Sequence, residues 1–579
     1  MTGRYFTSPA ASASDNGVRH LARGRPRRSG TLLAAVLLLA GAMAAQARDT
    51  TARDPLEAVL AAEFAVSAGR LDEGTAWYLE AARALPDDAE LAARATRYAL
   101  MGRDNAALAD ALGLWRQRAP ESAGMKGAAA TLALRTGKSR AARRELESLL
   151  REDGREGLLT AMSVLGTGSS DQALSAEVLG ELFDRGAIPR ESLALAGAGE
   201  LALGLGDQAL FERIDGVARV AFPDDPLTAL VRSRHLHQTG RSVEAKAVLD
   251  EIAAQPGVTA HPRMRENIAL AYAEVGAPAD GARLLESGPP ELRWLALRAS
   301  LLAQAEDKDG LGRLYDVLKA DAEAPNPPRR LLLGQLAEYL ELPAEALDWY
   351  RSVPGGEQRW LAQLRIPKVL HDLGKADEAY AELSRLQQDG VADADYRRDA
   401  YVMEAELRRE DGGGDAELDA YARGLAAFVD DAALLYARAL MWERRDDIAR
   451  AEADLRRILL ADPDSTAALN ALGYTLADRT ARYDEALELI ERARVAEPGN
   501  AAIIDSYGWV LYRLGRNEEA VVELRRAYVL EKDAEIAAHL GEVLWVLGRR
   551  DEARRYLEEA RAIDPDNRAL KRALEKTAS

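Results

Sequence analysis

The side chains that could do chemistry are few and scattered. The chain has 579 residues, six histidines and no cysteine. Without cysteine there is no disulfide, no thiolate metal site, no cysteine nucleophile and no acylated lipoprotein cysteine. His235 and His237 stand two apart, so on a helix they point roughly 200° from each other and cannot share a metal. His261, His371 and His539 are isolated in sequence. The chain contains no HExxH, no GxSxG elbow and no Walker lysine loop. Gly197-Ala198-Gly199-Glu200-Leu201-Ala202 fits only the loosest dinucleotide pattern and follows no strand signal. The carboxylate pairs Glu518-Glu519 and Glu558-Glu559 read as solvated helix faces, as do Arg525-Arg526 and Arg554-Arg555. No catalytic residue, cofactor or metal is expected, and the chain reads as a non-enzyme.

The elements that carry these residues are helical. The hydrophobic set makes up 48% of the chain and aromatics only 6%, so the apolar content is mostly small and aliphatic. Lys and Arg total 76 against 94 Asp and Glu, a formal net charge of -18, which argues against nucleic-acid binding. Residues 1–47 read as an address. A basic cluster of Arg19, Arg23, Arg25, Arg27 and Arg28 precedes the 15-residue apolar run Thr31–Ala45. Ala45-Gln46-Ala47 then offers small residues at the two positions a signal peptidase reads. This predicts a cleaved signal peptide and a periplasmic location. An uncleaved inner-membrane anchor is the alternative, disfavoured because a span wants about 20 apolar residues. Residues 48–54 are expected to be a short disordered N-terminus.

The remainder is one repeat. Pro86, Pro120, Pro189, Pro223, Pro256 and Pro290 are separated by 34, 69, 34, 33 and 34 residues, and Pro463, Pro498 and Pro565 by 35 and 67. Taking Ala501 as position 1, Gly508, Gly515, Ala520, Leu524 and Ala527 fall at 8, 15, 20, 24 and 27. Gly541, Gly548, Ala553, Leu557 and Ala560 recur in the same slots, and Gly473, Ala486 and Ala493 precede them. Small residues at 8, 20 and 27 let two antiparallel helices cross closely. Glycine at 15 ends the first helix in a left-handed turn, and proline at 32 stops the second.

This pattern resembles the tetratricopeptide repeat family over essentially all of residues 55–579. The resemblance implies an all-α, right-handed α-solenoid (superhelix) of stacked antiparallel helix pairs, about fifteen repeats in all. The match is clearest at 55–120, 190–257 and 431–566, which gives an N-terminal array, 55–257, and a C-terminal array, 431–566. Between them, 258–430 is degenerate, broken by Pro325-Asn326-Pro327-Pro328 and Gly412-Gly413-Gly414. Helical pairs are still read there. Gly334 and Ala346, like Pro367 and Ala379, keep the spacing of positions 8 and 20. Pro367 should kink its helix. A degenerate repeat is the favoured reading of this stretch and a hinge the alternative. Residues 567–579 read as a polar capping helix.

The family pattern implies that positions 2, 5, 9, 12 and 13 of each first helix line a concave groove. At those positions stand Asn470, Tyr474 and Asp478, then Asp505, Trp509, Tyr512 and Arg513, then Glu542 and Trp545. Four large rings with interleaved polar groups have the composition of a protein-binding hot spot. Asn470 suggests the family's clamp for carboxyl-terminal peptides, but Ala467, Ala502 and Ala538 stand where its lysines would be needed. The run ALNALGYTLADRTARYDEALELIERARVAEPGNAAIIDSYGWVLYRLGRNEEA, from Ala468, is similar to long envelope tetratricopeptide proteins of Gram-negative bacteria. One type in that group is an outer-membrane lipoprotein adaptor for a periplasmic carboxyl-terminal processing protease. That implies protein partners here too, although the missing cysteine rules out the same lipid anchor. A scaffold for envelope polysaccharide assembly is the alternative. An enzyme with a site in the middle region is the alternative from another class.

Overall fold

The computed structural model describes residues 55–578 apart from 103, 153, 169, 170 and 321–324. The signal segment and the 48–54 linker lie outside the described residues. Every regular element described is a helix. Fifteen antiparallel pairs follow one another, from Pro55–Ser67 with Leu71–Ala84 to Ala534–Val546 with Arg550–Ile563. A four-residue helix, Pro256–Thr259, interrupts the series, and Arg568–Ala578 ends it. The expected all-α solenoid of about fifteen repeats is what the chain forms. The degenerate stretch keeps the pattern, with five further pairs between Pro262 and Ala427. Helix Glu357–Asp372 runs on through Pro367. No described helix is long and apolar enough to cross a membrane.

The described residues divide into two units, one through Leu314 and one from Tyr315 onward. In the first, one core joins Leu146, Leu149, Leu179, Leu182, Leu195, Phe211 and Ile214. In the second, one core joins Leu472, Leu476, Ile490, Trp509, Leu524 and Leu544. Both cores are aliphatic seams between successive helix pairs, since no pair can bury its face alone.

The repeat rules appear as contacts. A Cβ on Gly508 would stand 2.7 Å from Leu524 Cγ, and one on Gly541 would stand 2.8 Å from the Leu557 side chain. Position 8 is therefore small because position 24 of the second helix lies on it. Gly515 and Gly548 hold φ of 80° and 77° at the turn. Glu306, Glu341 and Asp446 occupy that same slot in their repeats with φ of 55°, 60° and 64°, where glycine would be unstrained. The proline turn has a second job. In Pro498-Gly499-Asn500, the Asn500 side chain accepts from the amides of Ala502 and Ile503 and caps the next helix. Asp88 and Asp225 do the same two residues after Pro86 and Pro223.

Five helices of the second unit position the candidate site: α1 (Ala432–Arg444), α2 (Thr466–Arg479), α3 (Ala501–Arg513), α4 (Ala534–Val546) and α5 (Arg568–Ala578). The first four are the first helices of successive repeats. α5 continues the series as an unpaired first helix. Its Ala569, Leu570 and Ala573 are buried in one cluster with Ile536, Leu557 and Ala560, so it packs on the repeat of α4.

Candidate protein-binding face of the last repeats

The nine residues read as a groove fall into two groups. Asn470, Tyr474 and Asp505 border a cavity of about 390 Å³. Its other walls are Tyr436, Leu440 and Glu443 from α1, Ala471 from α2, Ala502 and Ser506 from α3, and Glu531, Asp533, Glu535 and Ile536 around the start of α4. Asp478, Trp509, Tyr512, Arg513, Glu542 and Trp545 do not border it.

Trp509 corrects the sequence reading most sharply. A ring in an open groove was expected, yet its side chain is only 1% exposed. One face stacks on His539, with centroids 4.1 Å apart and planes 20° from parallel. The Arg572 guanidinium lies 4.4 Å from the ring centroid. Arg572 is position 5 of α5 and Lys576 is position 9, so α5 itself supplies cations to the strip. Arg572 pairs with Asp478 and, at 3.4 Å, with Glu542. Lys576 donates to Glu542 at 2.6 Å. Glu542 is 1% exposed, and these partners make its burial affordable in energetic terms. Arg513 donates to the Asp478 carbonyl and the Tyr483 hydroxyl at 3.1 and 2.8 Å. Tyr512 donates to Glu542 at 3.1 Å. Trp545 is half-buried, with Arg550 5.1 Å from its ring. Apart from Trp545, these side chains are tied to one another and to α5 in an internal network.

Sequence reasoning missed His539. It is fully buried, and its Nδ1 stands 3.0 Å from both Asp505 oxygens, while Nε2 lies 3.4 Å from the Tyr474 hydroxyl. Burial disfavours the imidazolium, but the Asp505 charge and hydrogen bond outweigh it and hold the pKa above the usual histidine value. Tyr474 donates to Glu535 at 2.5 Å, and burial pushes its phenol well up. An Asp–His pair invites a catalytic reading. The hydroxyl beside it is a tyrosine already committed to a carboxylate. Ser506 donates to the Ala502 carbonyl at 2.9 Å instead of reaching the imidazole. The geometry therefore lacks the nucleophile–base bond of a triad. Among the described residues, no three acidic or histidine groups gather as a metal site.

The cavity's own residues are less satisfied. Asn470 Oδ1 is buried and has no hydrogen-bond donor. Burial raises the Glu443 pKa, with the Arg479 charge working against the shift. Tyr436, Leu440 and Glu443 were also missed. They occupy positions 5, 9 and 12 of α1, the same slots one repeat earlier, so the repeat rule could have found them.

A tetratricopeptide repeat family profile matches residues 534–567, the repeat of α4. A TPR repeat-containing protein of Pseudomonas aeruginosa is 43% identical over 210 residues, which is 36% of this chain and 35% of that relative. The aligned stretch thus spans about a third of the relative's length. Among solved structures, a tetratricopeptide repeat protein from Parabacteroides merdae is similar over 46% of this chain and 99% of its own, with 16% identity and a TM-score of 0.34. A chain of the APC/C hetero-tetramer Cut9-Hcn1 is similar over 91% of this chain and 97% of its own, with 14% identity and a TM-score of 0.31. The profile match shows a tetratricopeptide repeat at residues 534–567, and the helix pairs before it form a series of the same kind.

Proposed function

We propose that the chain is a non-catalytic protein-binding scaffold that takes an extended segment of a partner on the first-helix face between α1 and α4. The observation that carries this reading is the cavity bordered by Tyr436, Glu443, Asn470 and Tyr474. It combines apolar walls with polar groups left unsatisfied, while the neighbouring strip is saturated by α5. Helices hold these side chains in place, so little ordering cost opposes binding.

The signal-like segment 1–47 supports export to the periplasm. Resemblance to envelope adaptors supports a finer role: delivering bound proteins to a periplasmic carboxyl-terminal processing protease. A long array can hold a protease on one stretch and a substrate on another, raising their effective concentration without new chemistry. The purified chain should be inert alone and should accelerate digestion by its cognate protease in a reconstituted assay. Asn470→Lys, which places a charged side chain in the cavity, should remove the acceleration. No complex with any periplasmic protease, with capture of polysaccharide-export components instead, would replace the adaptor role with the polysaccharide scaffold. Hydrolysis by the purified chain alone would overturn the non-catalytic reading.

A further inference from the structure

The cavity between α1 and α4 is rich in acceptors and poor in donors. Five carboxylates border it, from Glu443, Asp505, Glu531, Asp533 and Glu535, and no lysine or arginine does. Three of the five are engaged. Asp505 faces His539. Asp533 accepts from the amides of Glu535 and Ile536 at the start of α4. Glu535 accepts the Tyr474 hydroxyl. The carboxylates of Glu443 and Glu531 have no hydrogen bond or ion pair with any described residue, and of these two Glu443 is half-buried while Glu531 is exposed. Arg479, the first cation to act on Glu443, is itself paired with Asp446. On the neighbouring first helix, Asn470 Oδ1 is buried and also without a donor. Two acceptors from different helices therefore border one space and lack what acceptors need.

The walls narrow the choice of donor. Leu440, Ala471, Ile536 and the Tyr436 ring give an apolar surface beside the carboxylates. A small hydrated cation would leave that surface wet. A long aliphatic stem ending in a charged donor would cover it while its head reaches the acceptors. An acidic side chain or terminal carboxylate would meet five carboxylates with no lysine or arginine among the lining residues, and the nearby cations His539 and Arg479 are already paired with Asp505 and Asp446.

Building on the binding role proposed above, we infer that this cavity receives a basic side chain, lysine or arginine, from an extended partner segment. The head group donates to Glu443, and the stem lies on the apolar walls. The partner segments selected by this face are thus basic, the opposite of those taken by a lysine clamp for terminal carboxylates.

The test pans a random twelve-residue peptide display library against the full chain. Each selected peptide is then resynthesised with every lysine or arginine replaced in turn by norleucine. The expected result is a shared basic position whose norleucine replacement weakens binding about tenfold or more, as loss of a charge-assisted hydrogen bond should. Glu443→Gln, checked by unchanged hydrogen exchange over 432–479, should abolish the difference between the basic and norleucine peptides. Selected peptides that bind with no basic requirement, or a requirement untouched by Glu443→Gln, would overturn the inference and leave the binding face intact. Asn470→Lys separates the two ideas, since it supplies a tethered cation and should block every selected peptide. Peptides that bind Asn470→Lys as tightly as the parent chain, or a library that yields no binder, would overturn both.

Discussion

Replacing Trp509 with alanine should be among the most damaging single changes in the second unit. The indole is 1% exposed, stacked on His539 at 4.1 Å and covered by Arg572 at 4.4 Å. Truncating a fully buried tryptophan costs about 3–5 kcal/mol in lost transfer energy and cavity formation. The cation–π contact adds about 0.5–2 kcal/mol, not additively, because the same collapse removes both. His539 would lose its stacking partner and Arg572 its platform, so the damage should spread through α3, α4 and α5. Global melting is a poor readout for a repeat array, whose units unfold with some independence. Hydrogen exchange resolved to peptides is better suited. A loss of about 3 kcal/mol should speed exchange of the most protected amides in 501–513 and 534–546 about a hundredfold. Peptides of the first unit should be unaffected. Unchanged protection across α3 and α4 would refute the packing argument and return Trp509 to an open groove.

Three other changes probe the frame around it. Gly508→Leu should cost about 1–3 kcal/mol, because even its Cβ would meet Leu524 Cγ at 2.7 Å; an unchanged exchange profile over 501–530 would contradict this. Glu306→Gly should stabilise its repeat by about 0.5–1 kcal/mol, since glutamate there holds φ of 55° in the slot that glycine fills elsewhere; faster exchange over 292–320 would contradict the strain argument. His539, whose pKa is raised in the folded chain, should stabilise the last repeats fully below its unfolded value of about 6.5 and lose that contribution as pH rises through the folded value. Protection of α4 should therefore fall from pH 6 towards pH 8 in the parent chain and change less in His539→Gln; equal profiles would contradict a charged His539.

The fold was legible because its rules are local and periodic. Proline spacing near 34, glycine at position 15 and small residues at 8, 20 and 27 each express one backbone or crossing requirement. They locate helix pairs even through 258–430, where only the spacing of pairs such as Gly334 and Ala346 survived. The site was legible only in part. A position number places a side chain on the first-helix face, but whether that face is open depends on the next first helix, a whole repeat away. Trp509 has the right position for an open groove and is closed by Arg572, 63 residues further on. The segment 567–579 read only as a polar cap, yet its Arg572 and Lys576 neutralise Asp478 and Glu542. His539 seemed isolated because its partner Asp505 stands 34 residues earlier, one full repeat. Many ion pairs here obey the same period, Arg234 with Glu200 and Arg479 with Asp446 among them. In a repeat protein, residues one period apart are neighbours, and a search for chemistry must be made at that spacing.

The central claim is that the chain engages another protein through the face between α1 and α4. Site-specific photocrosslinking in cells tests it most directly. A photoreactive residue at Ala471, on the cavity wall, is compared with one at Val522, on the second helix of the next repeat and 66% exposed. The account predicts a discrete protein adduct from position 471, none from 522, and loss of the adduct when Glu443→Gln is added. No adduct at 471, or equal adducts at both positions, would contradict it.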